Sequence, residues 1–466
     1  MNEKERREST SSGSSGSDSD SSEEEVNLNP SSDVVFTKYN MAAEIVNTVL
    51  KELISATKAD VLVSKLCMLG DSRMLELTAN VFKTQKDVQK GIAMPTCVSI
   101  DNCVCHFSPL RSEPEVLLKD GQIVKFDIGV HVDGFIATGA HTVVIGASKD
   151  NKVTGKKAKV VMAAYNSMEM ILRMLRPDRE YKNTDITEYV LQLCRLYETT
   201  PIENMLSHQM ERFKLNGEKQ IIQNPNDEQK SKVEKCTFEN YEVYAIDVLV
   251  STGEGKSKPL DTRTTVYKKT DDMIYQLKLK TSRTFFSEVQ QKYGVMPFSL
   301  RLLEDEVRAK MGVVECENHG LLSPYPVLYE KDGEYVAQFK TTAIIMPSGI
   351  YKITGFPLDA SIYDCNVKIT DKKLAAILQE GLKIKKKKTE ASVAKLAAAK
   401  APPAAKSDHL TIGDKTTTNK IETAEETPPY EKDSVKAPPV KADAKSSLGK
   451  ETKAKNSGGN KFQSNA

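Results

Sequence analysis

The segment VKFDIGVHVDGFIATGAHTVVIG, residues 124–146, decides the fold. Its apolar and β-branched composition predicts strands, and the turn signal Asp133–Gly134 separates two of them. Because successive side chains in a strand point to opposite faces, Lys125 and Asp127 share one face. The other face is entirely apolar and consists of Val124, Phe126, Ile128 and Val130. The segment therefore indicates a largely apolar strand that carries one carboxylate.

A second run, Glu242–Val250, repeats the pattern of Gln122–Val130 about 120 residues later. Each run has one Asp in its middle, Asp127 in the first and Asp247 in the second, and a further β-like run follows each. The repeat predicts a pseudo-symmetric core to which each half contributes one Asp. A buried carboxylate must be paired, hydrogen-bonded or bound to a cation, since burying it bare is costly. A structural hydrogen bond is the commoner solution, and metal binding is the alternative.

Helix-like and strand-like periods alternate along the middle of the chain, which predicts an α+β fold. Residues 41–56 and 157–175 have apolar side chains at helical spacing. The strand-like runs are QIVKFDIGVHV, HTVVIG, YEVYAIDVLVS, RTTVYK and TTAIIMP. With 466 residues, 39% of them hydrophobic and 28% charged, the chain can bury at least one sizeable core.

Both ends of the chain have the composition of disordered segments, with opposite charges. Residues 1–33 are rich in Ser, Gly and acidic residues, with eight acidic and three basic residues among the first 25. Residues 383–466 are rich in Lys, Ala and Pro, with 18 Lys against 10 acidic residues. We therefore expect one folded domain, residues 34–382, between two disordered tails. The formal net charge of +2 for the whole chain does not show that one end is acidic and the other basic.

The cysteine and hydropathy patterns are typical of an intracellular, soluble protein. Of the 8 Cys, only Cys103 and Cys105 are closely spaced, and no second Cys/His pair follows at zinc-finger spacing. No apolar run approaches the ~18 residues of a membrane span. The acidic, Ser-rich N-terminus is unlike a signal peptide. We expect reduced thiols, no structural zinc and no membrane insertion.

Several long motifs resemble those of the type 2 methionine aminopeptidases, in the same order along the chain. Residues 124–146 resemble the first metal-ligand hairpin of that family, and residues 101–109, DNCVCHFSP, resemble its substrate-pocket histidine segment. The later motifs are MLSHQMERFKLNGEK, VYAIDVLVSTGEGK and LLSPYPVLYEKDGEYVAQFKTTAIIMP. KTSRTFFSEVQ and MPFSLRLLEDE are similar to a narrower group, the proliferation-associated, ErbB-receptor-binding proteins, which are non-enzymatic relatives of these peptidases.

The resemblance covers about residues 34–390 and implies the pita-bread fold, in which two related αβ halves surround a central antiparallel sheet. It also implies the type 2 helical insertion before the last strands. The insertion would lie at about residues 256–336, with its helices around 283–311.

The same resemblance implies a dinuclear metal site whose ligands this chain has lost. The family holds two divalent cations with two Asp, one His and two Glu, and uses them to activate water. By the resemblance, the positions of the family's five metal ligands are occupied in this chain by Asp127, Thr138, His208, Asp247 and Lys340. Thr and Lys thus replace two carboxylates, and Asp247 is a shortened Glu. The pocket positions are His106, which is retained, and Asn216, which replaces a further His.

We expect a pseudo-enzyme without a cofactor, because Lys340 places an ammonium where a dication would bind. Two like unit charges ~4 Å apart repel by roughly 4 kcal/mol at an effective dielectric of ~20, and a dication would about double that. We predict instead that Lys340 pairs with Asp127 or Asp247. A single cation held by Asp127, His208 and Asp247 is the minor alternative. For His106 we favour a hydrogen-bonded role without chemistry.

For function, the resemblance implies binding of structured RNA and of the large ribosomal subunit near the peptide exit tunnel. It also implies roles in translation, growth control and transcriptional repression, and a cytoplasmic and nuclear, including nucleolar, localisation. The alternative is a protein-interaction adaptor or corepressor that works without RNA, through partners such as a receptor cytoplasmic tail or transcription factors. Salt-dependent RNA binding would separate the two hypotheses.

Basic residues give independent support for RNA binding. Between residues 256 and 312 there are 12 Lys and Arg against 7 Asp and Glu. Candidate phosphate contacts are Lys268, Lys269, Lys278, Lys280, Arg283, Lys385, Lys386, Lys387 and Lys388. A solvated charged face is the alternative for the first five, and the last four also fit a nuclear import signal. Leu374, Ile377 and Leu378 resemble a coregulator motif, although an amphipathic helix packed on its own domain explains them at least as well.

Overall fold

The computed structural model describes residues 28–384, which form eight α-helices and fifteen β-strands. The helices are α1 (Asp33–Ala56), α2 (Val63–Asn80), α3 (Gly155–Met174), α4 (Asn183–Leu196), α5 (Asp227–Lys232), α6 (Lys280–Lys292), α7 (Glu306–Asn318) and α8 (Lys372–Gln379). The strands are β1 (Lys90–Ile100), β2 (Cys103–Cys105), β3 (Ile123–Val132), β4 (Phe135–Val144), β5 (Thr200–Pro201), β6 (Leu206–Met210), β7 (Gln220–Ile222), β8 (Val243–Ser251), β9 (Lys258–Pro259), β10 (Val266–Lys269), β11 (Phe298–Ser299), β12 (Leu322–Tyr325), β13 (Leu328–Tyr329), β14 (Val336–Met346) and β15 (Gly349–Lys352). Short 3-10 turns lie at Pro177–Arg179, Leu300–Leu302 and Ala360–Ile362.

A nine-stranded antiparallel sheet forms the centre of this region. Its main order is β1-β3-β4-β14-β8-β6-β7, with β15 beside β14 and β5 beside β8. β3 and β4 form a hairpin around Asp133–Gly134, and Val132 pairs with Phe135 across the turn. The two strands that carry the repeated Asp residues, β3 and β8, flank the central pair β4 and β14. This arrangement of two related halves confirms the α+β pita-bread prediction.

Two groups of helices cover the sheet, one beside each half. α1 and α2 pack against the β1, β3 and β4 side, and α1 buries Tyr39, Val46 and Leu53 on one stripe. α3 packs on β8 and β14 of the other half, with α4 and α8 against it. β3 is buried along its whole length, so a charged side chain on it is shielded from water.

The predicted insertion forms a small unit with its own core. β10, β11 and β12 make a three-stranded sheet in the order β11-β10-β12, and α6 packs against α7. Phe285, Phe298 and Val313 are among its buried residues. The helices extend beyond the predicted range of 283–311 at both ends, and residues 298–302 between them form β11 and a 3-10 turn.

Arg301 joins the insertion to the main domain. Its buried guanidinium Nη2 lies 2.5 Å from Oδ2 of Asp71 on α2. Nη1 donates to Ser108 Oγ and to the carbonyl of Pro109, both at 2.9 Å. The insertion therefore supplies the cation that neutralises a buried carboxylate of the first half.

The structure changes two expectations about the ends of the domain. α1 begins at Asp33, inside the segment predicted as the N-terminal tail, while residues 1–27 and 385–466 lie outside the described region. Leu374 and Ile377 on α8 are buried against α3 and its neighbours. They are not available to a partner, so the packing explanation replaces the coregulator motif. Among residues 28–384, no helix is long and apolar enough to cross a membrane.

Candidate functional site

One row of residues crosses the four central strands of the sheet. Lys340 on β14 lies opposite Asp247 on β8 and, on its other side, opposite Ala140 on β4. Ala140 in turn lies opposite Asp127 on β3. Directly opposed residues of an antiparallel sheet point to the same face, so the sheet register brings the three charged side chains together. The small side chain of Ala140 leaves room for Lys340 to reach over β4.

Lys340 forms ion pairs with both carboxylates. Its Nζ lies 2.6 Å from Asp127 Oδ2 and 2.9 Å from Asp247 Oδ2. The side chains of Lys340, Asp127 and Asp247 are only 12%, 6% and 15% exposed. Gln338 Nε2 donates to the other Asp247 oxygen at 2.9 Å. The predicted pairing of Lys340 is confirmed and includes both candidate partners; we call these three residues the charged triad.

The charges of the triad depend on one another. Burial by itself lowers the pKa of Lys340, but the two carboxylates outweigh it and hold that pKa above its ordinary value. Burial raises the pKa of Asp247, and the neighbouring charge of Asp127 adds to this increase, while Lys340 opposes it. Lys340 therefore remains a cation at neutral pH.

The side chains at this position do not fit the two divalent cations that the fold family implies. Thr138 on β4 supplies a hydroxyl where a carboxylate is needed, and its buried Oγ1 has no hydrogen-bond partner among the described residues. The Lys340 ammonium already contacts both acids, in the space that a cation would need. Within residues 28–384, no group of three or more His, Cys, Asp or Glu is placed to hold a metal ion.

His208 lies near the triad but carries no charge at neutral pH. It is on β6, opposite Ala245 of β8. Burial lowers its pKa to about 4, and the Lys340 charge adds to this effect. Its Nδ1 lies 3.3 Å from the carbonyl of Gln209, to which it donates.

A cleft of about 390 Å³ is lined by the two pocket residues, His106 and Asn216, together with Lys268, Lys269 and Tyr325. His106 Nδ1 lies 3.1 Å from the carbonyl of Pro326 and donates to it. Its ring meets Tyr325 edge-on, with 5.1 Å between ring centroids, and burial lowers its pKa. These contacts fix the orientation of the His106 ring and hold it as a neutral imidazole whose Nδ1 carries the proton.

The five basic residues of the insertion that are predicted to contact phosphate differ in exposure. Lys268 and Lys269 on β10 are half-buried and line the cleft, and Lys268 Nζ is 3.8 Å from Asp271. Lys278, Lys280 and Arg283 are exposed around the start of α6. Arg283 Nη1 donates to the carbonyls of Leu277 and Lys278. That these five residues contact phosphate stays a prediction. Lys385, Lys386, Lys387 and Lys388 lie outside the described residues.

The sequence reasoning missed Gln338 and Ala140. Gln338 was accessible in principle, because it lies two residues before Lys340 in the same strand and so shares its face. Ala140 becomes informative only when the order of the strands is known, since its role is to leave space between Lys340 and Asp127.

The chain matches the model of metallopeptidase family M24 over residues 37–257. It is 44% identical over 337 residues to ErbB-3 binding protein 1 of Solanum tuberosum, covering 72% of this chain and 85% of that protein. It is 37% identical over 366 residues to the curved DNA-binding protein of Schizosaccharomyces pombe, covering 78% of this chain and 94% of that protein.

A solved structure has the same architecture. The structure of a thermophilic Arx1 superposes with a TM-score of 0.71 and 30% sequence identity, covering 76% of this chain and all of that chain. The high identity over most of the relatives' length, the shared fold and the positions of the motifs all indicate the same family. The chain belongs to the proliferation-associated, ErbB-3-binding protein family, a group with the fold of the M24 metallopeptidases.

Proposed function

We propose that this chain is a non-catalytic methionine aminopeptidase-like protein that binds structured RNA and the large ribosomal subunit near the peptide exit tunnel. In this role it acts in translation and growth regulation, in the cytoplasm and the nucleus. The absence of hydrolysis rests on one observation: the Lys340 ammonium lies 2.6 Å and 2.9 Å from the two acids that a metal would need. A metal-bound water, the nucleophile of this chemistry, has no site there.

Unpaired cations on the insertion support the nucleic-acid part of the proposal. The ion pairs formed by lysines of the insertion involve Lys268 and Lys292, whereas Lys278 and Lys280 are exposed and pair with no carboxylate of the described residues. Free ammonium groups on a rigid surface are the generic means of neutralising phosphate. The name of the Schizosaccharomyces pombe relative, a curved DNA-binding protein, is consistent with this chemistry.

Co-sedimentation with purified large ribosomal subunits over a range of salt concentrations tests the proposal. Lys278→Ala/Lys280→Ala should weaken binding and flatten its logarithmic dependence on salt by about one unit for every phosphate that is no longer neutralised. Lys83→Ala/Lys86→Ala is the matched control, because these two lysines are also exposed and lie outside the insertion. If both double variants sediment like the parent, the insertion is not the binding surface and the RNA proposal fails.

A protein-interaction adaptor is the second candidate. The relatives named for ErbB-3 binding favour it, because a receptor is a protein partner. An adaptor would bind its partner equally well after nuclease treatment, and the large subunit only weakly at physiological salt. The buried positions of Leu374 and Ile377 remove the coregulator motif as support for this candidate.

A further inference from the structure

The two ends of the described region, residues 28 and 384, lie beside the same strand. Phe36 in the first turn of α1 packs on Tyr351 of β15, with 5.3 Å between ring centroids. β15 also pairs with the last described residues, since Ile350 N donates to the carbonyl of Leu382 at 2.9 Å. β15 therefore contacts both the start of α1 and the segment that leads to the C-terminal tail.

The separation between these two ends is about three strand spacings. Leu28 lines a cleft together with Val243 of β8. Val243 pairs with Ile344 of β14, β14 pairs with β15, and β15 pairs with Leu382. Neighbouring strands lie ~4.8 Å apart, so Val243 and Leu382 are about 14 Å apart. Because an extended chain spans up to ~3.5 Å per residue, a few residues beyond each end are enough to bridge this separation.

The sequence next to each end carries charge of one sign. Residues 18–25, which we call the acidic run, contain five Asp or Glu and no Lys or Arg. Residues 383–387, which we call the lysine run, contain four Lys and no acid. Glu380, just before the lysine run, already pairs with Arg179 at 2.7 Å. The two runs are therefore complementary in charge, and each lies within a few residues of its end of the described region.

The cleft beside Leu28 is a poor site for the acidic run. Arg212, the cation that lines this cleft, already pairs with Asp133 at 2.6 Å. Glu211 and Glu242 line the same cleft and would repel an acidic segment. The charges at the N-terminal end thus direct the acidic run away from the cleft.

We propose that the acidic run binds the lysine run of the same molecule and restricts its access to nucleic acid. The short connections at both ends give the two runs a high effective concentration, so that individually weak ion pairs suffice. RNA phosphates compete for the same lysines, which makes the contact autoinhibitory. The inhibitory effect rests on the proposed RNA binding, whereas the contact itself requires no RNA.

Zero-length carbodiimide cross-linking of the full chain, followed by mass spectrometry, tests the contact without RNA. Amide cross-links should join carboxylates of the acidic run to Lys385, Lys386 or Lys387 in the monomer. They should disappear at high salt, because exposed ion pairs are screened. The inference is overturned if no such cross-link forms, or if the cross-links occur only in a dimer.

Anisotropy with a fluorescently labelled RNA hairpin tests the inhibition. Glu23→Gln/Glu24→Gln/Glu25→Gln should increase the affinity for RNA at low salt by about threefold or more, because it frees lysines for phosphate.

The matched control is Glu3→Gln/Glu5→Gln/Glu8→Gln, which makes the same change in net charge within the same tail. These three acids lie among Lys4, Arg6 and Arg7 and outside the acidic run, so the control should bind RNA like the parent. Equal gains in affinity in the two variants would overturn the inhibition, since net charge alone would then explain them. Cross-links without RNA binding by any variant would reject the proposed RNA function and still support the contact.

Discussion

Lys340 Nζ lies 2.6 Å from Asp127 Oδ2, although a whole strand, β4, separates the strands that carry these residues. The ion pair forms because Ala140, between them, has only a methyl group. Removing the lysine would leave two buried carboxylates without a counterion. The pair thus contributes to the stability of the sheet.

We expect Lys340→Ala to lower the free energy of unfolding by about 3–5 kcal/mol, because it leaves the buried carboxylates of Asp127 and Asp247 without a counterion. Because the folded pKa of Lys340 is raised, this stabilisation is fully present below the ordinary lysine pKa and is lost as the pH rises through the folded pKa. Urea unfolding at neutral pH measures the loss. Lys159→Ala is the control: its partner Glu198 is 77% exposed, and such surface pairs are worth about 0–1 kcal/mol. Equal losses in the two variants would contradict the prediction.

Carboxylates at positions 138 and 340 should allow metal binding. Thr138→Asp/Lys340→Glu removes the ammonium and adds two ligands, so we expect Mn²⁺ or Co²⁺ to raise its melting temperature, whereas the parent should not respond. Thr138→Asn/Lys340→Gln has similar shape without charge and serves as control. The prediction is contradicted if purified parent protein retains two equivalents of a divalent cation by elemental analysis or releases Met from a peptide.

Three histidines with lowered pKa values should make the fold sensitive to acid. Burial lowers the pKa values of His131, His141 and His208 to about 4 each. The unfolded chain then binds more protons than the folded one between pH ~6.5 and ~4, so stability present above this window is lost as the pH falls through it. Each such proton contributes at most about 1.4 kcal/mol per pH unit.

His141→Phe tests this dependence at one position. The ring lies edge-on to Phe339 at 5.2 Å, so a phenyl group can keep the packing without titrating. Urea unfolding between pH 7 and pH 4 should show a slope reduced by one proton. A parent-like slope in His141→Phe would refute the assignment.

Asp71→Ala should destabilise the protein by about 3–5 kcal/mol, because it leaves the Arg301 guanidinium buried without its carboxylate. Hydrogen exchange should locate the effect in the insertion and in α2 together. Glu288→Ala is the control, since Glu288 pairs at 2.8 Å with the partly exposed Lys292 on the same helix and should cost under about 1 kcal/mol. Loss of protection confined to α2 would show that Arg301 does not couple the two units.

Local signals account for what could be predicted from the sequence. The hairpin at residues 124–146 and the repeated Asp strands depend on period-two patterns and turn residues, which a short window contains. The triad could be predicted only as a choice between Asp127 and Asp247, since the choice depends on strand order. The pairing of Asp71 with Arg301 spans 230 residues and leaves no local pattern. Likewise, Lys268 and Lys278 are near in sequence, but Lys268 lines the cleft and Lys278 is exposed to solvent.

The hydrogen bonds of Arg301 have a consequence for how this architecture can be modified. Excising the insertion would remove the guanidinium that satisfies Asp71, Ser108 Oγ and the carbonyl of Pro109 at once. The remaining chain would keep a buried carboxylate without its counterion, with the amide of Thr96 still donating to it, at a cost of several kcal/mol. The insertion is thus not detachable from the main domain. A minimal version of this protein must either retain residue 301 or replace Asp71 with an apolar side chain.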